Sequence, residues 1–206
     1  MVEIQAYSSS NWAAMFNILA QKWDGWKKIV YDETDTSQVN ELWVSDEVYL
    51  NRGSSIGVYH SSKGFNSTYP AQQTSATSFI VISSDKGIMV LIGTSTDLTT
   101  KMALGISKTI NADGSESGGI VHSSSNTVTL YTDNMSATTA VTTSNFVSNS
   151  PNNTQVVPIC SNTCADKFNG LGWTFMRKAT DGGKAKFPGG ECYVVGGVIS
   201  LAFTEE

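Results

Sequence analysis

The run Ser78-Phe79-Ile80-Val81-Ile82-Ser83-Ser84-Asp85-Lys86-Gly87-Ile88-Met89-Val90-Leu91-Ile92 is the most constraining stretch of the chain. Two apolar arms flank a polar turn, and neither arm alternates apolar with polar. Arms of this kind bury both faces, so the hairpin belongs in the middle of a sheet that is covered on each side. The Asp85-Lys86-Gly87 turn suits a type I turn closed by a glycine bulge.

One cover is readable near the start. Trp12, Phe16, Leu19 and Trp23 recur at spacings of four, three and four, which is one face of an α-helix. Ser8, Ser9 and Ser10 can supply the N-cap oxygen, and Asp24-Gly25 supplies a stop, so the helix is expected from Asn11 to Asp24. Its aromatic stripe is expected to dock on the sheet. The period then changes to two. Trp26–Asp32 reads as a strand. Leu42 and Val44 pair across Ser45-Asp46-Glu47 with Val48 and Leu50 as a hairpin, and Ile56, Val58 and Tyr59 make a further strand.

Shorter strands are expected at Met102–Ser107, Gly119–His122, Thr127–Thr132, Trp173–Lys178 and Tyr193–Phe203. Thr138–Ser144 is nearly all small and β-branched. The last two strands are joined by a glycine-rich loop holding Asp181-Gly182-Gly183 and Pro188-Gly189-Gly190. The fold class that follows is α+β to mostly β: an N-terminal amphipathic helix packed on an antiparallel β-sheet or sandwich. Residues 1–147 read as the helix plus antiparallel β domain and 148–158 as a loop or hinge. Residues 159–206 read as a C-terminal β-hairpin region packed on the same domain.

Composition narrows the function. The chain has 206 residues, 13 Lys and Arg against 18 Asp and Glu, and a net charge of −5. Only 15% of residues are charged, whereas 27 are serine and 22 are threonine. A strongly basic nucleic-acid binder is excluded, as is a long amphipathic-helix protein. Met1-Val2-Glu3-Ile4-Gln5 carries no basic or apolar leader pattern, so synthesis in the cytoplasm is expected, with no membrane partner. The sequons at Asn66, Asn134 and Asn152 are ordinary in a chain this rich in Asn, Ser and Thr.

The groups that could carry chemistry do not assemble into a kit. Cys160, Cys164 and Cys192 could hold zinc with His60 or His122. But structural zinc sites show two close ligand pairs, and Cys192 has no neighbour to pair with. Gly53-Ser54-Ser55-Ile56-Gly57 matches G-x-S-x-G with Ser55 in the nucleophile's place, yet a β-branched strand pattern follows where that elbow needs a helix. Asp32, Glu33, Asp35, Asp46, Glu47, Asp113 and Glu116 could pair as glycosidic carboxylates, but all lie in turns, where Asp caps its own backbone. Asp113-Gly114-Ser115-Glu116 lacks the alternating ligands of a calcium loop. Phosphate-binding glycine motifs are absent. Arg177, Lys178, Lys184 and Lys186 form one local basic cluster, read as a solvated hairpin tip. No catalytic residue, cofactor or metal is therefore assigned, and the chain is read as no enzyme.

Two segments carry a family likeness: Tyr7-Ser8-Ser9-Ser10-Asn11-Trp12 through Gly25-Trp26, and Gly189-Gly190-Glu191-Cys192-Tyr193-Val194-Val195-Gly196-Gly197-Val198-Ile199-Ser200-Leu201-Ala202-Phe203. Together they resemble virion structural proteins of tailed bacteriophages, of the tail, neck or capsid surface, over roughly a fifth of the chain. The resemblance implies a non-enzymatic subunit working in many copies, partnered by itself and by other virion proteins. Its place is the virion, after synthesis in the host cytoplasm. No functional residue is carried over. The long polar stretches Gly64–Ser75 and Asp133–Pro158 are expected to be inter-subunit arms. The competing class is a glycan-binding or receptor-binding surface module, with Trp43, Tyr49, Tyr59 and Tyr69 as candidate stacking residues.

Overall fold

A computed structural model describes residues 1–7, 12–53, 56–62, 66–68, 79–92, 102–111, 113–124, 127–133, 135–140, 156–160, 167–174, 183–187, 190–196 and 200–204. The hairpin lies where its composition demands. β7 (Phe79–Ser84) and β8 (Gly87–Ile92) pair in continuous register, and every residue of β8 is buried. Ile88, Val90 and Ile92 enter one hydrophobic core, while Met89 and Leu91 enter another on the opposite face. Two-sided burial thus follows from the strand's period of two acting on an unbroken apolar run. The turn is tighter than expected: Ser84 pairs with Gly87, so only Asp85 and Lys86 form it and no bulge intervenes. The absence of a side chain at Gly87 matters for packing, because a Cβ there would lie 2.2 Å from the Ile106 carbonyl oxygen.

Around this hairpin a twelve-stranded antiparallel sheet is built. β1 (Glu3–Tyr7) pairs with the outer side of β7, and β9 (Met102–Ile110) pairs with β8 through Met102–Ser107. β10 (Glu116–Ser124) runs along the whole other side of β9, followed by β11 (Thr127–Thr132) and β12 (Met135–Ala140). Past Ser107, the side of β9 that β8 leaves open is taken by β14 (Lys167–Thr174), which pairs at Thr109 and Ile110. The sheet forks there. β13 (Val156–Cys160) pairs with β14, and β17 (Ser200–Thr204), β16 (Gly190–Gly196) and β15 (Gly183–Phe187) extend the new branch. Phe168 of β14 and Tyr193 of β16 reach the second core with Ile82, Met89, Leu91, Ala103, Val121 and Leu130, so this wing covers the second face.

The first face is covered by α1 (Trp12–Lys22) and a five-stranded sheet of β2 (Lys28–Tyr31), β3 (Val39–Trp43), β4 (Val48–Arg52), β5 (Ile56–His60) and β6 (Asn66–Thr68). The aromatic stripe is buried as its spacing requires: Phe16 and Leu19 are inaccessible and Trp12 and Trp23 nearly so. They share one core with Leu42, Val48, Leu50, Ile56 and Val58 of the small sheet and Val81, Val90, Leu104 and Ile120 of the large one. Each such side chain contributes roughly 1.5–3 kcal/mol on burial. The helix docks on β3 and β4 as well as on β7. Asn17 accepts from the Val39 N–H at 2.8 Å and donates to the Ser37 carbonyl at 3.2 Å. The Trp26 indole N–H donates to Leu19 O at 3.1 Å, capping a carbonyl freed at the helix end.

Several expectations are corrected. Trp26–Asp32 shortens to Lys28–Tyr31, and the helix to Trp12–Lys22, with Ser8–Asn11 outside the described residues. Tyr193–Phe203 contains parts of two antiparallel strands, β16 and β17, since Gly196 pairs with Ser200, and 197–199 lie outside the described residues. The expected strand Trp173–Lys178 begins earlier, at Lys167, with 175–178 outside the described residues, and β15 lies inside the stretch read as a glycine-rich loop. β6 falls within the supposed arm Gly64–Ser75, and β12 and the first residues of β13 within Asp133–Pro158, so those parts are sheet rather than arm. Residues 148–155 of the supposed hinge lie outside the described residues, and β13 begins at Val156.

Candidate functional site

The meander β3–β4–β5 has one apolar face in the first core, and period-two alternation sends Trp43, Tyr49 and Tyr59 to the other. Register makes them direct cross-strand neighbours: Trp43 opposite Tyr49, Tyr49 opposite Tyr59. Ring centroids are 4.1 Å apart with planes 15° from parallel for the first pair, and 5.4 Å and 18° for the second. Nearly parallel rings at 4.1 Å can only lie face to face. The Lys28 ammonium, on the strand beyond, sits 5.4 Å from the Trp43 ring and closes the row. Glu41 accepts from the Trp43 indole N–H at 2.7 Å and from the Asn51 amide at 3.4 Å. Burial, with Glu41 and Tyr59 beside it, pushes the Tyr49 phenol above its usual range.

Three of the four aromatic residues singled out for stacking are thus brought together in one half-buried row, and Tyr69 lies outside the described residues. Both faces of Tyr49 are occupied by its neighbours. The row presents ring edges and hydroxyls outward rather than open ring faces.

A second polar assembly lies where the two sheets meet. Gly118 of β10 presses on the β3–β4 turn so closely that a Cβ would stand 1.9 Å from the Val44 carbonyl oxygen. Beside this contact, Asp133, in the turn after β11, accepts from the Glu47 N–H at 3.2 Å and from the Ser117 hydroxyl. The buried His60 imidazole bonds through Nε2 to the Asp133 carbonyl at 3.0 Å and holds Nδ1 3.7 Å from Glu47. Glu47 takes the Ser61 hydroxyl and the Ser62 N–H, and these bonds, the hydroxyl first, hold its carboxyl below the usual range. An open cleft of about 310 Å3 runs past Ser117 and Asp133 and is also lined by Lys27, Asp46, Lys108 and Glu116.

In this arrangement Ser61 bonds to a carboxylate, and the imidazole bonds to a main-chain carbonyl. The groups serve as a polar clamp between the sheets. Three of the other candidate carboxylates close their own turns, whereas Glu116, expected in a turn, begins strand β10. Asp32 takes the Thr34 hydroxyl and N–H and pairs with Arg52 at 3.0 Å; Asp35 takes Ser37 and Gln38; Asp113 takes Ser115. Each is held below the usual carboxylate range by the hydroxyl it accepts from. Asp46 faces Lys27 at 3.1 Å. Ser55, Cys164, Arg177 and Lys178 lie outside the described residues; Cys160, Cys192, Lys184 and Lys186 are placed by their backbones on β13, β16 and β15. Among the described residues no three His, Cys, Asp or Glu side chains gather as metal ligands, and no helix is long and apolar enough to cross a membrane.

The sheet-junction clamp was not readable in advance. Its members come from positions 45–61 and 117–133, and only pairing between distant strands brings them together.

No protein family matches the chain, and comparison with curated proteins and with solved structures returns no match.

Proposed function

We propose that the chain is a non-enzymatic structural subunit of a tailed-phage virion, in the tail, the neck or on the capsid, working through contacts with its own copies and with other virion proteins. In this reading the two sheets face each other across the first core as the layers of a sandwich, and the surface is left to assembly. The observation that carries the proposal is β1. It pairs with β7 alone among the described strands, and Glu3, Ile4, Gln5 and Ala6 are all exposed, Ile4 to 41%. An open edge of this kind is a template for another chain. The self-satisfied turn carboxylates agree with a surface built for shape rather than for proton transfer.

The second reading, a glycan-binding module, draws on the Trp43–Tyr49–Tyr59 row with Glu41 and Asn51 at its flank. It has to work through ring edges and hydroxyls, since stacked neighbours take up the faces that sugars favour.

The deciding measurement is the solution mass of the purified chain by light scattering, with negative-stain images of any large species. A ring or another defined multimer is the expected outcome. A monomer at every concentration that saturably binds members of a glycan array would replace the first reading with the second.

A further inference from the structure

The sheets have two exposed first strands, and they are guarded differently. β2 carries Lys28 next to Lys27 and is interrupted by a bulge between Val30 and Tyr31. Lysines and bulges are the devices that keep a strand edge from recruiting another. β1 has neither, nor a proline: its register with β7 runs unbroken from Glu3 opposite Ser83 to Tyr7 opposite Phe79. Its single charge, Glu3, is matched within the chain by Lys22 at 2.7 Å.

Resting on the assembly reading above, we propose that β1 pairs with β1 of a second copy, antiparallel and centred on Gln5. Self-complementarity singles out this register. About a two-fold axis at Gln5, Glu3 lies opposite Tyr7 of the second copy and Ile4 opposite its Ala6. The side chains of Glu3, Gln5 and Tyr7 share the face on which Tyr7 stacks on Phe79 and Glu3 meets the helix. On that face the pairing sets carboxylate against phenol and amide against amide. On the other face Ile4 and Ala6, whose partners on β7 are Ile82 and Ile80, continue an apolar strip into the second copy.

The charges agree with the same geometry. The two Glu3 carboxylates end up four positions apart along the strand, about 13 Å, beyond the screening length of about 8 Å. A parallel alignment sets them side by side at about 5 Å. The antiparallel pair is also isologous and closes on itself, giving a dimer that joins two large sheets into one.

The test uses the full chain. Gln5 is exposed and accepts the Tyr7 hydroxyl at 2.8 Å, so replacing it alters one surface hydrogen bond and no apolar packing, and in the proposed pair it faces its own copy. Gln5→Lys and Gln5→Glu each set like charges opposite one another and are expected to weaken self-association about fivefold, read as the concentration dependence of mass in light scattering or sedimentation. An equimolar mixture sets Lys opposite Glu and is expected to regain the wild-type association as a mixed species. Wild-type association in either single variant, or no recovery in the mixture, overturns the pairing while leaving a wild-type multimer to support the assembly reading. A wild-type chain that stays monomeric at every concentration overturns both.

Discussion

The two faces of the central strands β8 and β9 are both buried but are covered by different means. Helix α1 and the small sheet join the first face through side-chain packing and through the clamp of Glu47, His60, Ser117 and Asp133. The C-terminal wing joins the second face through Phe168 and Tyr193, and its strand β14 is also hydrogen-bonded into β9. A cover held by side chains can loosen as a unit. A cover that shares backbone pairing with what it covers is tied at the fork even where packing fails.

The largest expected effect separates these two attachments. Phe16→Ala and Phe168→Ala each remove an inaccessible ring and are expected to cost about 3–5 kcal/mol in denaturant unfolding. Hydrogen exchange is expected to distinguish them: Phe16→Ala speeds exchange through β2–β5 together, whereas Phe168→Ala leaves the β9–β14 pairs protected. Equal loosening of both covers would show that backbone continuity contributes nothing.

Acid sharpens the contrast next. His122 shares the face of Ile120 on β10, toward the first core, and burial pushes its imidazole down to about 4. The folded state holds this histidine neutral where the unfolded chain, near 6.5, takes a proton. Stability is therefore full above about pH 6.5 and falls as the pH drops toward 4, by on the order of 3 kcal/mol. His122→Asn is expected to flatten the dependence of the denaturation midpoint over that window. An unchanged slope would assign the acid sensitivity to other groups.

The smallest effect is the difference between two adjacent glycines that point to opposite faces. A Cβ on Gly118 meets the Val44 carbonyl at 1.9 Å, whereas one on Gly119 meets the Phe168 ring at 2.7 Å. Backbone yields less readily than a side chain, so Gly118→Ala is expected to cost about 3 kcal/mol and Gly119→Ala about 1 kcal/mol. Thermal unfolding of the two variants gives the ranking, and the reverse order would place the tighter junction at the wing.

Much of this frame was legible in advance, for a local reason. The stripe Trp12, Phe16, Leu19 and Trp23 needs only the helical period to be read, and the arms of the β7–β8 hairpin need only the absence of alternation. The same holds for the β3–β4 hairpin and for β5 as a strand, whereas the pairing of β5 with β4, which lines up Tyr59 with Tyr49, was not legible. β1 escaped notice because Glu3-Ile4-Gln5-Ala6-Tyr7 is short and its exposed residues follow no burial pattern. As an edge strand it is held by pairing with β7, some seventy residues away.

The sequence by itself determined the elements that carry their own periodicity: one amphipathic helix, a doubly apolar hairpin, and a second hairpin around Ser45-Asp46-Glu47 whose apolar residues alternate with Trp43 and Tyr49. Tertiary structure alone decided what those elements meet. The fork of β9, the clamp joining Glu47 and His60 to Asp133, and the place of β1 at the edge of the described strands all depend on strand pairing across long separations. Local side-chain patterns set which face of a strand is apolar, but not which distant strand will lie beside it.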